Sequence, residues 1–484
     1  MAALRDEQAI DRRGGRAAVH RTWTPFNVGT VARLLYSFAR HRNHEVWEQM
    51  FARSGAYTVE TNTFGQRLVF TADEENIKAI LATQFREFGK GPRFREEWEE
   101  FLGHSIFTTD GEKWHEARAL LRPQFIKERV ADLETFEHHV QKLLPLLAGA
   151  NNDGAGPTVR IDDLFFRFTL DAATDFLLGS SVDSLTHEQS DFAEAFGTVQ
   201  NTQAIISRMG PINGMVPRRR FRRALGVLNR FVSTYIDRAL ALTPAQLART
   251  GKTDREYTFL HALAGHTRDR RTLRDQLVAV LLAGRDTTAV ALSWLFYELA
   301  RHPDVVARLR REIEARVGFD RPPTYEDLKS MRFLQHTLNE TLRLYPVVPY
   351  NVRVALCDTT LPRGGGLDGR EPVGVTNGTP ICYSTLLLHR RSDVYPATSP
   401  VWPDHREFAP QRWEQWTPEP WTYIPFNGGP RICIGQQFAL GEMGYTAVRI
   451  LQRFGVVEPR GGFPGFRTDI VLQPAEGVWV GFTT

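Results

Sequence analysis

Apolar residues recur at three- and four-residue spacing through most of the chain. The pattern predicts helices over Glu137 to Leu147, Leu225 to Leu242, Thr272 to Arg301, Pro303 to Val317, Tyr325 to Leu344 and Gln436 to Phe454. Alternating patterns are fewer and clustered. Tyr57 to Thr61 with Arg67 to Thr71 predicts a hairpin turning at Thr63, Phe64 and Gly65, and further strands are expected within Val352 to Leu388 and Ile470 to Phe482. This is a mainly α (α+β) protein, a large helical domain with small peripheral β-sheets. NNDGAGP, Asn151 to Pro157, reads as a loop, with periodic segments on both sides, and no linker separates two independent cores.

Composition changes this picture little. The 484 residues are 42% hydrophobic and 24% charged, ordinary for a globular protein, and a net charge of +4 argues for no nucleic-acid partner. PRRRFRR, Pro217 to Arg223, is a local basic block beside Met215, Val216 and Phe221. It reads as a solvated loop or a patch against anionic lipid headgroups. Residues 1–22 are polar and Arg-rich, with no signal peptide and no membrane anchor. No run reaches the ~18 apolar residues of a spanning helix.

RTLRDQLVAVLLAGRDTTAVALSWLFYELARHP is a long apolar helix with an anomalous centre. Gly284 is a weak helix former, Asp286 is costly to bury, and Thr287 and Thr288 can bond back to the preceding turn. Ala283 and Thr287 share a face that Val280 and Val290 extend, a small residue beside a hydroxyl. By itself AGRDTT fits either a tolerated kink or a site. Glu340 and Arg343 stand three apart on a helix ended by Pro346, with Leu342 and Leu344 suggesting burial. A buried pair needs further hydrogen bonds, and Arg412 in FAPQRW is a candidate third member, pinning the loop that follows.

That loop, FNGGPRICIG, carries Cys433, one of three cysteines. A helix predicted from Gln436 presents unpaired N–H groups that favour a thiolate. Glycines at 428, 429 and 435 permit tight turns and close approach to another object, and Arg431 adds a charge. No base for nucleophilic attack and no zinc-ligand spacing accompany the cysteine. A single thiolate on a glycine-lined loop suits a planar cofactor with one axial ligand, namely haem. GGGLDG, Gly364 to Gly369, matches GxGxxG literally, but in a strand-rich segment with no receiving helix it reads as a hairpin loop.

Here the sequence resembles the cytochrome P450 monooxygenases. Phe426, Gly429, Arg431, Cys433 and Gly435 fit the haem-binding signature FxxGxRxCxG. AGRDTT looks like the oxygen-activating helix motif, Glu340 and Arg343 like ExxR, Phe408 to Trp413 like FxPxRW, and Trp114 with Arg118 like WxxxR. FNGGPRICIGQQFAL and ETLRLYPVVPYNVRVA are similar to fungal n-alkane and fatty-acid hydroxylases. The resemblance implies one haem domain over residues 23–484 that binds haem b. Cys433 would be the proximal iron ligand, favouring O–O cleavage. Thr287 with Asp286 would relay protons, and Ala283, Phe426 and Gly435 would lie against the cofactor. Trp114, Arg118, Arg353 and Arg431 would meet its propionates, with a surface role as the plain alternative for Arg353. Phe107, Val280, Val347, Val348 and Trp479 would line the substrate pocket, with core packing as the alternative for each.

The implied reaction inserts one oxygen atom from O2 into a C–H bond of a lipophilic substrate, fatty acid or alkane favoured. A terpenoid or polyketide intermediate is the second choice. Electrons would come from NADPH through a separate reductase, with cytochrome b5 as an optional donor. The resemblance implies the cytoplasmic side of the endoplasmic reticulum; without an anchor the chain would be soluble or held by peripheral contacts. A haem-thiolate isomerase or dehydratase is disfavoured because Asp286 and Thr287 are both present. A haem sensor is disfavoured because no signalling domain is attached.

Overall fold

A computed structural model describes residues 2–19, 28–63, 66–125, 133–149, 158–187, 191–249, 258–395 and 404–484. The expected loop at Asn151 to Pro157 and the hairpin turn at Phe64 and Gly65 lie outside them. The chain forms two compact units, threaded so that each draws on three stretches of sequence. One comprises Met1–Pro92, Leu342–Cys433 and Gly465–Ala475. The other comprises Arg93–Thr341, Ile434–Pro464 and Glu476–Thr484.

The first unit is built on a six-stranded mixed sheet. Its strands are β1 (Ala18–Val19), β2 (Thr58–Thr63), β3 (Gln66–Thr71), β4 (Phe88–Gly89), β5 (Tyr350–Ala355) and β8 (Pro380–Ser384), in the order β1-β2-β3-β8-β5-β4. β2 and β3 form the predicted hairpin, with Thr61 opposite Leu68. Between β5 and β8 lies a second hairpin, β6 (Thr359–Gly365) with β7 (Glu371–Val375). Its turn is GGGLDG, where Gly364, Gly366 and Gly369 all have positive φ and the Gly364 N–H donates to the Gly369 carbonyl at 2.8 Å. The phosphate-loop look-alike is therefore a hairpin turn. Cys382, in β8, is partly buried among apolar residues, and desolvation pushes its thiol up to about 12, which marks it as an inert packing residue.

The second unit is helical. Its main elements are α1 (Gly111–Leu121), α2 (Glu134–Ala148), α3 (Ile161–Leu178), α4 (Asp191–Met209), α5 (Arg219–Ala241) and α6 (Arg270–Leu299). α7 (Arg332–Leu344) begins in this unit and ends in the other, and α8 (Gln436–Arg453) returns to it. α6 starts on the Asp269 side chain, which accepts from the N–H groups of Arg271 and Thr272. α3 runs along it, with the Phe165 and Phe296 rings 5.4 Å apart. Of the described helices only α6 is long and apolar enough to cross a membrane, and 78% of its apolar window is buried inside the protein.

Two predicted elements change. The helix expected over Tyr325 to Leu344 is two helices, Tyr325–Ser330 and α7, broken at Met331. The cause is distant in sequence: the Glu312 carboxylate accepts from the N–H groups of Phe333 and Leu334, both at 2.9 Å, and gives α7 its own start. The basic block is likewise no loop. Arg219 opens α5, and Arg218 and Arg222 both bond to Glu100, which offsets cations at an unfavourable helix end. Phe221 points into the core, whereas Met215 is 76% exposed.

Candidate functional site

The glycine-rich loop closes on itself. The Cys433 N–H donates to the Phe426 carbonyl, and the Ile432 N–H to that of Gly429, both at 3.0 Å. Gly429 has φ +65°, and a Cβ there would stand 1.9 Å from the carbonyl oxygen of Leu81. One at Gly428 would stand 2.5 Å from the Trp421 ring. Both glycines are therefore required by the protein's own packing. Gly435 differs: its φ is −91°, and an added Cβ would meet only Phe125, at 3.6 Å. The tight turn expected there is absent. Cys433 is exposed at the loop's end, two residues before the N-cap of α8.

Two arginines of the same unit stand at this loop, Arg431 within it and Arg353 beside it. The Arg431 guanidinium lies 5.9 Å from the Phe85 ring, and Arg353 lies 5.8 Å from that of Tyr383. Tyr383 in turn donates its hydroxyl to Asn427 of the loop at 3.0 Å. Arg353 is only 3% exposed, so the surface reading fails. Its Nη1 bonds to the Val352 carbonyl at 2.9 Å, and among the described residues no carboxylate pairs with it. A buried guanidinium without a counter-charge fits an acidic cofactor group.

Behind the loop, Arg343 is fully buried and donates to the carbonyls of His389 (3.1 Å), His405 (2.6 Å) and Glu407 (3.3 Å). Arg412, also buried, donates to the Asp404 carbonyl at 2.9 Å. Both arginines fasten the chain at residues 389 and 404–407. Glu340 is fully buried on α7, one turn before Arg343. His389 was not foreseen. Its Nε2 accepts from the N–H of Ile424 at 2.9 Å, which ties this residue to the entry of the cysteine loop. Burial and the nearby Arg343 charge push its pKa down to about 3, so the ring is neutral and remains an acceptor.

In the helical unit α6 is buried along most of its length, but Val280, Ala283, Gly284 and Thr287 are only half-buried and mark one open face. The Thr287 hydroxyl donates to the Ala283 carbonyl at 2.6 Å, and Thr169 of α3 donates to the Arg285 carbonyl at 2.8 Å. The helix stays continuous through this point, and a Cβ at Gly284 would lie 3.8 Å from that of Ala173 on α3, an ordinary packing distance, so packing against α3 does not demand glycine here. Asp286 is 2% exposed. Burial raises its pKa, while Arg285 and a hydrogen bond from Gln200 act against that.

Glu442, on α8, is also buried, hydrogen-bonded to Thr288, and pushed up to about 8 by desolvation. A glutamate within the apolar stretch FALGEMGYTAV was the available signal for it. α8 itself is anchored to α2, where Arg449 holds Glu137 through two nitrogens at 2.9 Å, joined by Tyr445.

The remaining candidates separate. Trp114 is buried on α1 with the Arg118 guanidinium 5.9 Å from its ring. Phe107 is partly exposed, in a segment tied to α6: Asp275 accepts from the His104 N–H at 2.8 Å, and Gln276 donates to the His104 carbonyl at 3.1 Å. Val347 is buried and its carbonyl accepts from the Leu472 N–H at 2.9 Å; that of Val348 accepts from Thr385 at 2.7 Å. Trp479 lies on a strand between Thr158–Arg160 and Val456–Pro459, 42% exposed and packed over Gly461, which places it on the surface of that small sheet.

Residues 29–479 match the sequence profile of the family described as Cytochrome P450. The chain is 47% identical to the cytochrome P450 monooxygenase pvhE of Talaromyces variabilis, across 99% of this chain and 92% of that protein. It is 41% identical to cytochrome P450 52A1 of Candida tropicalis, across 90% and 82%, and 41% identical to the monooxygenase himC of Aspergillus japonicus, across 91% and 78%. The chain belongs to the cytochrome P450 family, monooxygenases that use haem b and take NADPH electrons through a reductase.

Proposed function

We propose that this monooxygenase hydroxylates a chain-like lipophilic substrate, a fatty acid or alkane, with Cys433 as the iron ligand. The observation that carries the ligand assignment is the exposed Cys433 thiol on a loop locked by its own hydrogen bonds and by Gly429. Arg353 and Arg431, with Trp114 and Arg118, would hold the haem propionates by charge-assisted hydrogen bonds. Phe426, Gly435 and Ala283 would lie against the ring. Bound haem would supply the activation of dioxygen, and side chains of this chain would help deliver the protons. Thr287 would hold a proton at its hydroxyl, and Asp286 would replenish it. Phe107, Val280, Val347 and Val348 would set substrate shape.

The substrate class rests on the likeness of FNGGPRICIGQQFAL and ETLRLYPVVPYNVRVA to the alkane and fatty-acid hydroxylases, and relatives of the 52A series support it. The relative at 47% identity carries a name outside that series, and a terpenoid or polyketide substrate is kept as the second reading. NADPH–cytochrome P450 reductase, with cytochrome b5 as an optional donor, would be the redox partner. The family match runs through both units and supports one haem domain over 23–484. Exposed Met215, Arg219 and Arg220 support peripheral contact with the cytoplasmic face of the endoplasmic reticulum.

The experiment is spectral. Reduced protein with carbon monoxide should show the red-shifted thiolate Soret band, and Cys433→Ser should abolish it; a surviving band would remove the assignment. Fatty acids, alkanes, terpenes and aromatics added in turn should shift the spin state for the class that fits. A shift with terpenes alone would overturn the preferred substrate.

A further inference from the structure

Asp286 is held by a closed arrangement that the relay reading does not require. Gln200, on α4, donates its Nε2 to Asp286 Oδ2. Its Oε1 accepts from Arg285 Nη1 at 3.3 Å, and the same nitrogen lies 3.3 Å from Asp286 Oδ1. The Arg285 guanidinium is itself fixed between two rings, 5.4 Å from Phe166 of α3 and 5.2 Å from Phe196 of α4. Phe196 is one turn before Gln200, so α4 supplies both a wall for the arginine and the amide for the acid.

We propose that Gln200 is a positioning residue for proton delivery: through its amide, α4 sets the orientation of the Asp286 carboxyl. The proposal rests on Asp286 acting as the relay acid. An amide has one donor end and one acceptor end, and here each end has a distinct partner, so the two partners together fix its orientation. The isosteric Glu would put an acceptor against Asp286, and Leu would offer nothing to either partner. The charged group facing Asp286 is Arg285 from its own helix; Gln200 faces it from α4, and α3 contributes the Thr169 hydroxyl only to the Arg285 carbonyl. Hydrogen bonds weaken steeply with distance and angle, so a small shift of α4 releases the carboxyl to turn.

The test compares wild type, Gln200→Leu, Gln200→Glu and Asp286→Asn as haem-loaded protein. Infrared spectroscopy of the carboxylic-acid region needs no substrate: the band deleted by Asp286→Asn should move in both Gln200 variants. With reductase, NADPH and lauric acid as probe, both should also release about fivefold more peroxide per NADPH, while the reduced carbon monoxide band is unchanged. An unmoved infrared band with wild-type peroxide release in Gln200→Leu would overturn the proposal alone if Asp286→Asn still uncouples. Wild-type coupling in Asp286→Asn would overturn the relay reading and this proposal with it.

Discussion

The Cys433 N–H donates to the carbonyl of Phe426 at 3.0 Å, so the loop that presents the thiol is closed by its own backbone. Its geometry also depends on Gly429, which passes Leu81 too closely for any side chain. Gly429→Ala adds a left-handed conformation disfavoured for alanine to a backbone clash. It should cost roughly 2–5 kcal/mol and displace the thiol. Haem content, read as Soret against protein absorbance, should fall severely. Gly435→Ala, lacking both defects in the chain itself, should fold with near-normal stability, and comparing unfolding midpoints of the two variants checks this.

Arg343 spans three carbonyls with one planar guanidinium. Lysine keeps the charge but lacks the fixed fork, so Arg343→Lys should behave as a severe variant. A buried charge that loses its partners costs ~3–5 kcal/mol. The expected result is little haem-loaded protein at 37 °C, measured by the reduced carbon monoxide band per milligram. A normal yield would show that residues 389 and 404–407 need no such clamp.

His389 should make the protein acid-sensitive. Its folded pKa, about 3, lies below the ordinary 6.5, so between these values the unfolded chain binds a proton that the folded chain refuses. Its contribution is fully present above pH 6.5 and is lost as pH falls toward 3, at about 1.4 kcal/mol per unit. His389→Gln keeps an acceptor for the Ile424 N–H and cannot titrate. Urea unfolding at pH 7 and pH 4.5 should show a smaller loss of stability in the variant than in wild type.

The motif residues were legible because their chemistry is local: a cysteine among glycines, a threonine after an aspartate on an apolar helix. What escaped was set by distant partners. Gln200 looks like any polar residue of an amphipathic helix until Asp286 is placed beside it. The break at Met331 was hidden because Glu312, on another helix, caps α7.

Glu442 should have the opposite pH signature to His389. Its folded pKa, about 8, lies above the ordinary 4.5, so between them the folded chain keeps a proton that the unfolded chain has released. Stability therefore falls as pH rises through this window and levels off above pH 8. Glu442→Gln preserves the shape and a hydrogen-bonding group for Thr288 without titrating. Near pH 5 the variant and wild type should be about equally stable. By pH 8.5 the variant should be ahead by a few kcal/mol, on the order of 1 kcal/mol for each unit of the shift. Chemical denaturation at the two pH values reads this directly. An advantage of the same size at both would mean that Glu442 already ionises at ordinary pH, with its charge satisfied from a source other than Thr288.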